Sequence, residues 1–410
     1  MVRDRKKKPP VKEADLHGYK YFKRFITTLE RFHLINDHHN RQLHYDQYIS
    51  LLLFYFFNPV LTSLRAIQQA STLEKVQTVL GVKATSLGAL SEAAQVFDPQ
   101  LLVSLLQQLA QEAHVIEKDP LLKEIQQTIV TIDGSLLPAV PRILWAVWVD
   151  DQHRAAKLHL EFDVLTHLPL RAAVTDGNAN EKQVFRQLLS PGKFYILDAG
   201  YAQYKLLSDI IAAESSVVVR LRDNAVWQSI EQRPLSQADT SAGVSRDTVV
   251  YLGDKKTRKD YPSPIRLIEV LHRGNPTTRR KTRVSSKKTF RTTEADYSLL
   301  LATNRMDLPA ETIATLYRYR WQVELFFRWF KCILGCKHLL AHSINGLTMQ
   351  VYCALIASML ITLWTGRKPT KRTFELLSFY FLGWATDYEL ARHIETLNPI
   401  TKSHQISCAV

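Results

Sequence analysis

The chain has 410 residues, of which 46% are hydrophobic, 10% aromatic and 22% charged. That composition excludes low-complexity disorder, collagen-like and coiled-coil architectures. Lys and Arg number 53 against 39 Asp and Glu, a formal net charge of +14 that favours a polyanionic partner. The charged opening, Met1 to Lys8 followed by Pro9-Pro10, has no apolar stretch behind it and is not a signal peptide. All four cysteines (Cys332, Cys336, Cys353, Cys408) lie in the C-terminal fifth and are expected as reduced thiols of a cytoplasmic protein, not a disulfide framework.

Residues 1–115 read as a helical region. Apolar side chains recur at helical spacing through Tyr21, Phe22, Phe25, Ile26, Leu29 and Phe32, and again through Leu73, Val76, Val79 and Leu80. Gly81 then makes a break, and Thr85 or Ser86 can cap a helix through Leu87, Leu90, Ala94 and Val96. Helix, glycine turn, helix is the outline of a helix-turn-helix whose second member presents the small residues Ser86, Gly88, Ala89 and Ser91. The two most apolar windows, Leu51–Phe57 and Val351–Trp364, fall short of the ~20 apolar residues that span a bilayer. Both are expected as buried helices.

From residue 116 to 221 the texture becomes α/β. Gln127–Asp133 is a β-branched run ending in an acid, and Lys157–Leu165 alternates apolar and polar residues and can pair with Leu170–Val174. Helix Glu181–Leu189, strand Phe194–Leu197 ending at Asp198, helix Tyr204–Ala213 and strand Ser216–Leu221 follow. Three antiparallel strands, then helix, strand, helix, strand is the element order of a ribonuclease-H-like fold, with residues 136–150 interrupting it as an insertion. Residues 222–296 form a basic, β-rich insertion with strands at Val249–Leu252 and Ile265–Leu271. Thirteen Lys and Arg between Lys255 and Arg291 are opposed only by Asp260 and Glu269, as suits neutralisation of phosphates. Residues 297–345 return to the core with strand Tyr297–Ala302 and a helix from about Leu308 to Lys337. Residues 346–410 are a helical C-terminal region.

Three acids stand out by position. Asp133 ends the first core strand, Asp198 ends the fourth, and Glu324 sits within the long helix. Carboxylates gathered from strand ends and a crossing helix repel one another unless cations neutralise them, and hard oxygen ligands suit Mg2+ or Mn2+. Two such ions about 3.5–4 Å apart can activate an attacking oxygen and stabilise a leaving one in phosphodiester chemistry. On a continuous helix of about 100° per residue, Tyr317, Arg320, Glu324 and Lys331 fall within an arc of roughly 60°. A carboxylate would then share one stripe with three groups able to hold phosphate oxygens. The plain alternative is an i,i+4 Arg–Glu pair on a solvated face, which the crowding of Trp321, Phe326, Phe327, Trp329 and Phe330 on this helix disfavours.

The spacing Tyr-x2-Arg-x3-Glu-x6-Lys, met by Tyr317, Arg320, Glu324 and Lys331, resembles the signature of the insertion-sequence-four family of DDE transposases. Asp133-Gly134-Ser135 looks like that family's first acid block, and Asp198-Ala199-Gly200-Tyr201 with Lys205 looks like its second. The 126 residues between Asp198 and Glu324 are similar to members with a β-rich domain inserted before the last catalytic helix. The resemblance covers residues 125–340. It implies that Asp133, Asp198 and Glu324 bind catalytic Mg2+ or Mn2+, as two ions. It further implies that Tyr317, Arg320 and Lys331 grip the DNA backbone, with Lys205 a further DNA contact. Some relatives stack a flipped base on a tryptophan of the inserted domain, and Trp227 is the only tryptophan in that stretch here.

The expectation is a DNA transposase working by cut-and-paste on double-stranded DNA, both terminal inverted repeats and target. It would be a homodimer in the synaptic complex and nucleoid-associated in a bacterial cytoplasm. Two alternatives stay open on sequence: a ribonuclease-H-like nuclease or resolvase without strand transfer, and a non-catalytic transposase-derived DNA-binding protein. Cys332-x3-Cys336-x-His338 lacks a fourth metal ligand nearby, and Asp150-Asp151, Asp163 and Asp176 read as loop, spare or turn carboxylates.

Overall fold

The computed structural model describes residues 23–33, 41–112, 119–139, 143–148, 150, 153–272, 297–334, 339–365 and 370–396. Six helices come first: α1 Lys23–Glu30, α2 Tyr45–Phe56, α3 Leu64–Ala70, α4 Glu74–Leu80, α5 Leu87–Val96 and α6 Leu101–Gln111. Local chemistry sets their ends. Gly81 closes α4 in the left-handed region at φ 65°, and the Ser86 hydroxyl caps α5 by accepting the Ala89 N–H at 3.0 Å. Ser86, Gly88 and Ser91 are exposed and Ala89 half-buried, so the start of α5 faces outward. Its Leu90, Ala93 and Ala94 pack inward.

The sheet follows. β1 Thr128–Ala139, β2 Arg154–Asp163 and β3 Leu168–Asp176 are joined in antiparallel fashion. Then come α7 Glu181–Leu188, β4 Lys193–Leu197, α8 Tyr204–Ala212 and β5 Ser216–Arg220, with β4 parallel to both β1 and β5. β6 Trp227–Gln232, α9 Gln237–Ser241, β7 Val244–Leu252, β8 Ile265–His272 and β9 Tyr297–Thr303 complete it. All nine strands form one mixed sheet in the order β3-β2-β1-β4-β5-β9-β8-β7-β6. The strands of residues 222–296 therefore extend the core sheet, because β9 pairs with β5 on one side and β8 on the other.

Two sequence expectations need correction here. β1 does not stop at Asp133. It runs six residues further as a partner of β2, up to Ala139 opposite Arg154, so residues 136–139 are strand and the interruption is shorter than expected. The long helix is also broken, into α10 Ala310–Arg318 and α11 Trp321–Leu334. At the junction the N–H groups of Tyr319, Arg320 and Gln322 reach back only three residues, to Leu316, Tyr317 and Tyr319. That tighter winding ends one helix and starts another.

Helices cover both faces. On one side α7 and α8 close a core of Phe185, Tyr195, Leu206, Leu207, Ile210 and Val217. On the other, α11 and α12 (Ile344–Thr365) share a single core with α2, α5 and α6. α12 is long enough to cross a membrane, at 22 residues and mean hydropathy 1.7, but 89% of its most apolar window is buried inside the protein. Its hydroxyls are satisfied within the helix, Ser358 to Leu355 O at 2.7 Å and Thr362 to Ser358 O at 3.0 Å. α5 and α12 nearly touch at Gly346, where a Cβ would lie 3.0 Å from the Ala94 carbonyl oxygen. Asn345 ties the same seam by donating to Ala94 O and Phe97 O at 3.1 and 2.7 Å. α13 Lys371–Phe381 and α14 Asp387–Thr396 end the described chain.

Of the basic run, Arg273 to Arg291 lies outside the described residues. Arg266 does not belong to a DNA-facing stripe. It is 2% exposed and grips Asp247 through two hydrogen bonds, at 2.9 and 2.6 Å. The Cys336 and His338 positions also lie outside the described residues, whereas Cys353 is a buried free thiol.

Candidate active site

The site is built first by strand register. β1 and β4 run parallel with Thr131 opposite Ile196 as their last registered pair. Asp133 and Asp198 each stand two residues beyond that pair, on the same side of the sheet. Adjacent strands lie about 4.8 Å apart, so register alone makes the two carboxylates neighbours. β5 adds a cation at the same level: Leu197 pairs with Val219, and Arg220 follows it, 3.9 Å from Asp223.

The α10–α11 junction brings the other groups. Tyr317, in the last turn of α10, is buried, and its hydroxyl donates to Asp198 Oδ1 at 3.4 Å. Arg320, in the break between the helices, pairs with Glu324 Oε1 at 2.8 Å. The single 60° stripe expected on a continuous helix is thus replaced by a turn, which swings Arg320 and Glu324 relative to Tyr317. Lys331 sits half-buried in the last turn of α11.

The electrostatics tie these groups together. Burial pushes the Asp133 carboxyl up to about 6, with Glu324 and Glu181 pushing the same way and the Gly134 N–H and Arg320 opposing. The Gly134 N–H donates to Asp133 Oδ1 at 2.8 Å. Burial alone would depress the Arg320 guanidinium, but Tyr317, Asp198 and Glu324 outweigh it and hold it above its ordinary value. Burial likewise pushes the Tyr317 phenol up. Arg320 is therefore the positive charge around which all three acids are arranged. Among the described residues no three His, Cys, Asp or Glu side chains converge tightly enough to enclose one metal ion. The cluster is braced by arginine.

Three neighbours escaped the sequence reading. Glu181, the first residue of α7 after its cap Asn180, forms an ion pair with Lys157 of β2. The pair passes so close to Gly134 that a Cβ there would lie 3.0 Å from Lys157 Cε and 3.1 Å from Glu181 Oε1. Tyr201 is 2% exposed, packs edge-on against Phe185, and has a buried hydroxyl with no hydrogen-bond partner among the described residues. Burial pushes this phenol up, and Glu181, Asp133 and Asp198 add to the shift. Only the Asp-Ala-Gly-Tyr block hinted at Tyr201, and nothing local pointed to Glu181 or Lys157.

The remaining expected residues lie further out. Lys205, at the start of α8, is 63% exposed and 3.3 Å from Asp209. Trp227 opens β6, half-buried, with the Arg246 guanidinium 5.7 Å from its ring centre. The spare carboxylates have local duties: Asp163 accepts the Leu165 N–H at 2.8 Å and Asp176 the Asn178 N–H at 2.9 Å.

Fold and site together describe an α/β protein with two carboxylates just past the last parallel pairing of β1 and β4 and an arginine-braced third acid on a helix. Comparison with known proteins narrows that class: residues 124–360, more than half of the chain, match the family model described as Transposase DDE domain. The chain belongs to the DDE transposase family, enzymes that cleave DNA and carry out strand transfer. It is 29% identical over 278 residues to y4zB of Sinorhizobium fredii, provisionally named a transposase, covering 67% of this chain and 71% of that one. It is 27% identical over 259 residues to a Geobacillus stearothermophilus protein provisionally named for transposition of insertion sequence element IS5377, covering 63% of this chain and 60% of that one. A third relative, InsL of Escherichia coli insertion sequence element IS186A, is 26% identical over 73% of this chain and 86% of its own. Among solved structures, a piggyBac transposase synaptic complex with hairpin DNA aligns over 96% of this chain and 86% of that one, at 10% identity and a TM-score of 0.36.

Proposed function

We propose that this transposase moves an insertion sequence by cut-and-paste, with Asp133, Asp198 and Glu324 as its catalytic carboxylates on a ribonuclease-H-like core. The observation that carries the reading is the register of β1 and β4, which sets Asp133 beside Asp198, with Arg320 and Tyr317 binding Glu324 and Asp198 into the same cluster. The run β3-β2-β1-β4-β5, with two antiparallel pairings followed by two parallel ones, supports the ribonuclease-H-like assignment. The Tyr-Arg-Glu-Lys spacing supports membership of the insertion-sequence-four group.

The donor set suits the divalent ions that DDE transposases generally use. All three donors are carboxylates, the hard oxygen ligands such ions prefer, and the like charges of Glu324 and Glu181 add to the burial that pushes Asp133 up to about 6. Asp133, Asp198 and Glu324 would hold Mg2+ or Mn2+, two ions in our reading. When bound, such ions polarise the phosphate and make water or a 3′-hydroxyl a better nucleophile.

The chain's own residues do the rest. Tyr317 fixes the rotamer of Asp198 through its hydroxyl. Arg320 offsets the like charges of the acids and presents its remaining N–H donors to phosphate oxygens. Lys331 adds a charge about two helical turns beyond Glu324. Lys205, exposed on α8, is a backbone contact, and the half-buried Trp227 is the stacking partner for an unpaired base. The exposed start of α5 reads the terminal inverted repeat. Two chains act together, one per transposon end, in the bacterial cytoplasm near the nucleoid.

The decisive test is Asp198→Asn, which keeps shape and removes charge. Metal-dependent cleavage of a duplex bearing the DNA that flanks the gene should fall by about a thousandfold or more, while binding of that duplex in EDTA persists. Cleavage that survives the change rules out this site.

A further inference from the structure

α10 begins at a residue whose side chain cannot cap it. Pro309 occupies the N-cap position and offers no side-chain acceptor, although the N–H groups of a helix's first turn need partners. The acceptor arrives from 72 residues earlier: Asp239 Oδ1, in α9, takes the Glu311 N–H at 2.8 Å. Asp239 is itself immobilised, because its second oxygen accepts from the Ser236 N–H at 2.9 Å and the Ser236 hydroxyl at 2.8 Å. At the far end of α10, Arg318 Nη2 donates to the Ala242 carbonyl, just past α9, at 3.1 Å. One short segment, Ser236 to Ala242, therefore holds α10 at both ends. Arg266 of β8 fixes the lead-in, donating to the carbonyls of Arg305, at 3.2 Å, and Leu308 while its other nitrogens grip Asp247 of β7.

We propose that Asp239 and Arg318 are positioning residues of the catalytic centre, forming with Arg266 a clamp that sets where α10 sits over the sheet. The inference rests on the site assignment made above. α10 carries Tyr317 in its last turn, and the turn bearing Arg320 and the start of α11 with Glu324 hang from its end. Sliding α10 by a fraction of a turn would move the Tyr317 hydroxyl off Asp198 and shift Glu324 against Asp133, and displacements of about 1 Å can cost about a hundredfold in rate. Among the described residues Asp239 bonds to the start of α10 and Arg318 to the Ala242 carbonyl, so their effect would pass through α10. The clamp also gives the strands between β5 and β9 a mechanical role: the sheet extension carries the support for the catalytic helix.

The test uses the full-length protein, Mg2+ and a duplex of the DNA flanking the gene, under single-turnover conditions. Asp239→Ala and Arg318→Ala should each slow cleavage of bound duplex about tenfold or more, with duplex affinity in EDTA changed less than about twofold. Asp239→Asn, which keeps an oxygen acceptor for the Glu311 N–H, should recover most of the rate. Hydrogen exchange should quicken in residues 310–324 and stay unchanged in β4 and β5. Wild-type cleavage rates per folded molecule in both alanine variants overturn the clamp, as does exchange that quickens equally in the sheet. Should Asp239→Ala fail to fold, Arg318→Ala, at an exposed position, decides the matter alone. Asp198→Asn separates the two readings. If it still cuts, the site assignment is wrong. If it is dead while both clamp variants cut at full speed, only the clamp is wrong.

Discussion

His159 lies in β2 opposite Gly134, 1% exposed, with Nε2 2.9 Å from the Thr175 hydroxyl. Burial, and then the Lys157 ammonium, push it down to about 4 from an ordinary value of 6.5. The sign follows from proton uptake. Between pH 6.5 and about 4 the unfolded chain binds a proton at this ring that the folded chain refuses, so stability falls as pH drops through that window and levels off below it. The group's share of the loss is up to about 3 kcal/mol. His159→Gln, which can still bond to Thr175, should flatten the dependence of thermal midpoint on pH across that window. An unchanged slope would show that other groups control acid sensitivity.

At the scale of elements, much of the sheet was legible because a half-buried strand alternates with period two. β3, β4, β5, β8 and β9 fall where alternation and β-branched runs placed them, within about two residues at their ends, and β2 starts three residues earlier, at Arg154. β6 and α9 were not legible, since the exposed Gln228 to Gln232 carries no hydrophobic signal. The break at Tyr319–Arg320 was hidden for a different reason. Neither residue is Gly or Pro and both tolerate a helix, so what marks this turn is tertiary: the Tyr319 hydroxyl bonds to Asp119 at 3.0 Å and Arg320 pairs with Glu324 at 2.8 Å. The site divides the same way. An acid-terminated run, a strand end and motif spacing offer Asp133, Asp198 and Glu324 as candidates, while the Lys157–Glu181 and Asp239–Glu311 contacts join residues far apart in the chain and carry no local signal. The Arg266–Asp247 pair between β7 and β8 gives an element-scale prediction, since both side chains are under 5% exposed. Removing one partner strands a buried charge, so Asp247→Ala should cost about 3–5 kcal/mol in denaturant unfolding. Replacing both with apolar residues of similar volume should restore much of it. A double variant as weak as the single one would show that the Arg266 bonds to Arg305 and Leu308 matter more than the charge pair.

On the scale of the whole molecule, the helices that precede the sheet are not an appendage. α2, α5 and α6 enter the same core as α12, α11 and β3, and the apolar α12 is buried partly by them. Removing residues 1–118 would strip that cover and leave a 22-residue helix of mean hydropathy 1.7 facing water on one side. At about 25 cal/mol per Å2, exposing even a few hundred Å2 of apolar surface costs about as much as the whole stability of a typical domain. The fragment 119–410 should therefore aggregate or remain insoluble, although it retains every acid of the site and the whole of the matched family span. Co-expression with residues 1–118 as a separate chain should rescue it, because the seam through Gly346 and Asn345 can close without a covalent link. Size-exclusion chromatography and thermal unfolding of both preparations test this. A soluble, cooperatively folded 119–410 fragment would show that the part carrying the family match has its own complete core. An insoluble fragment rescued in trans would mean that α5 and α12 complete one indispensable core, against which α11 also packs.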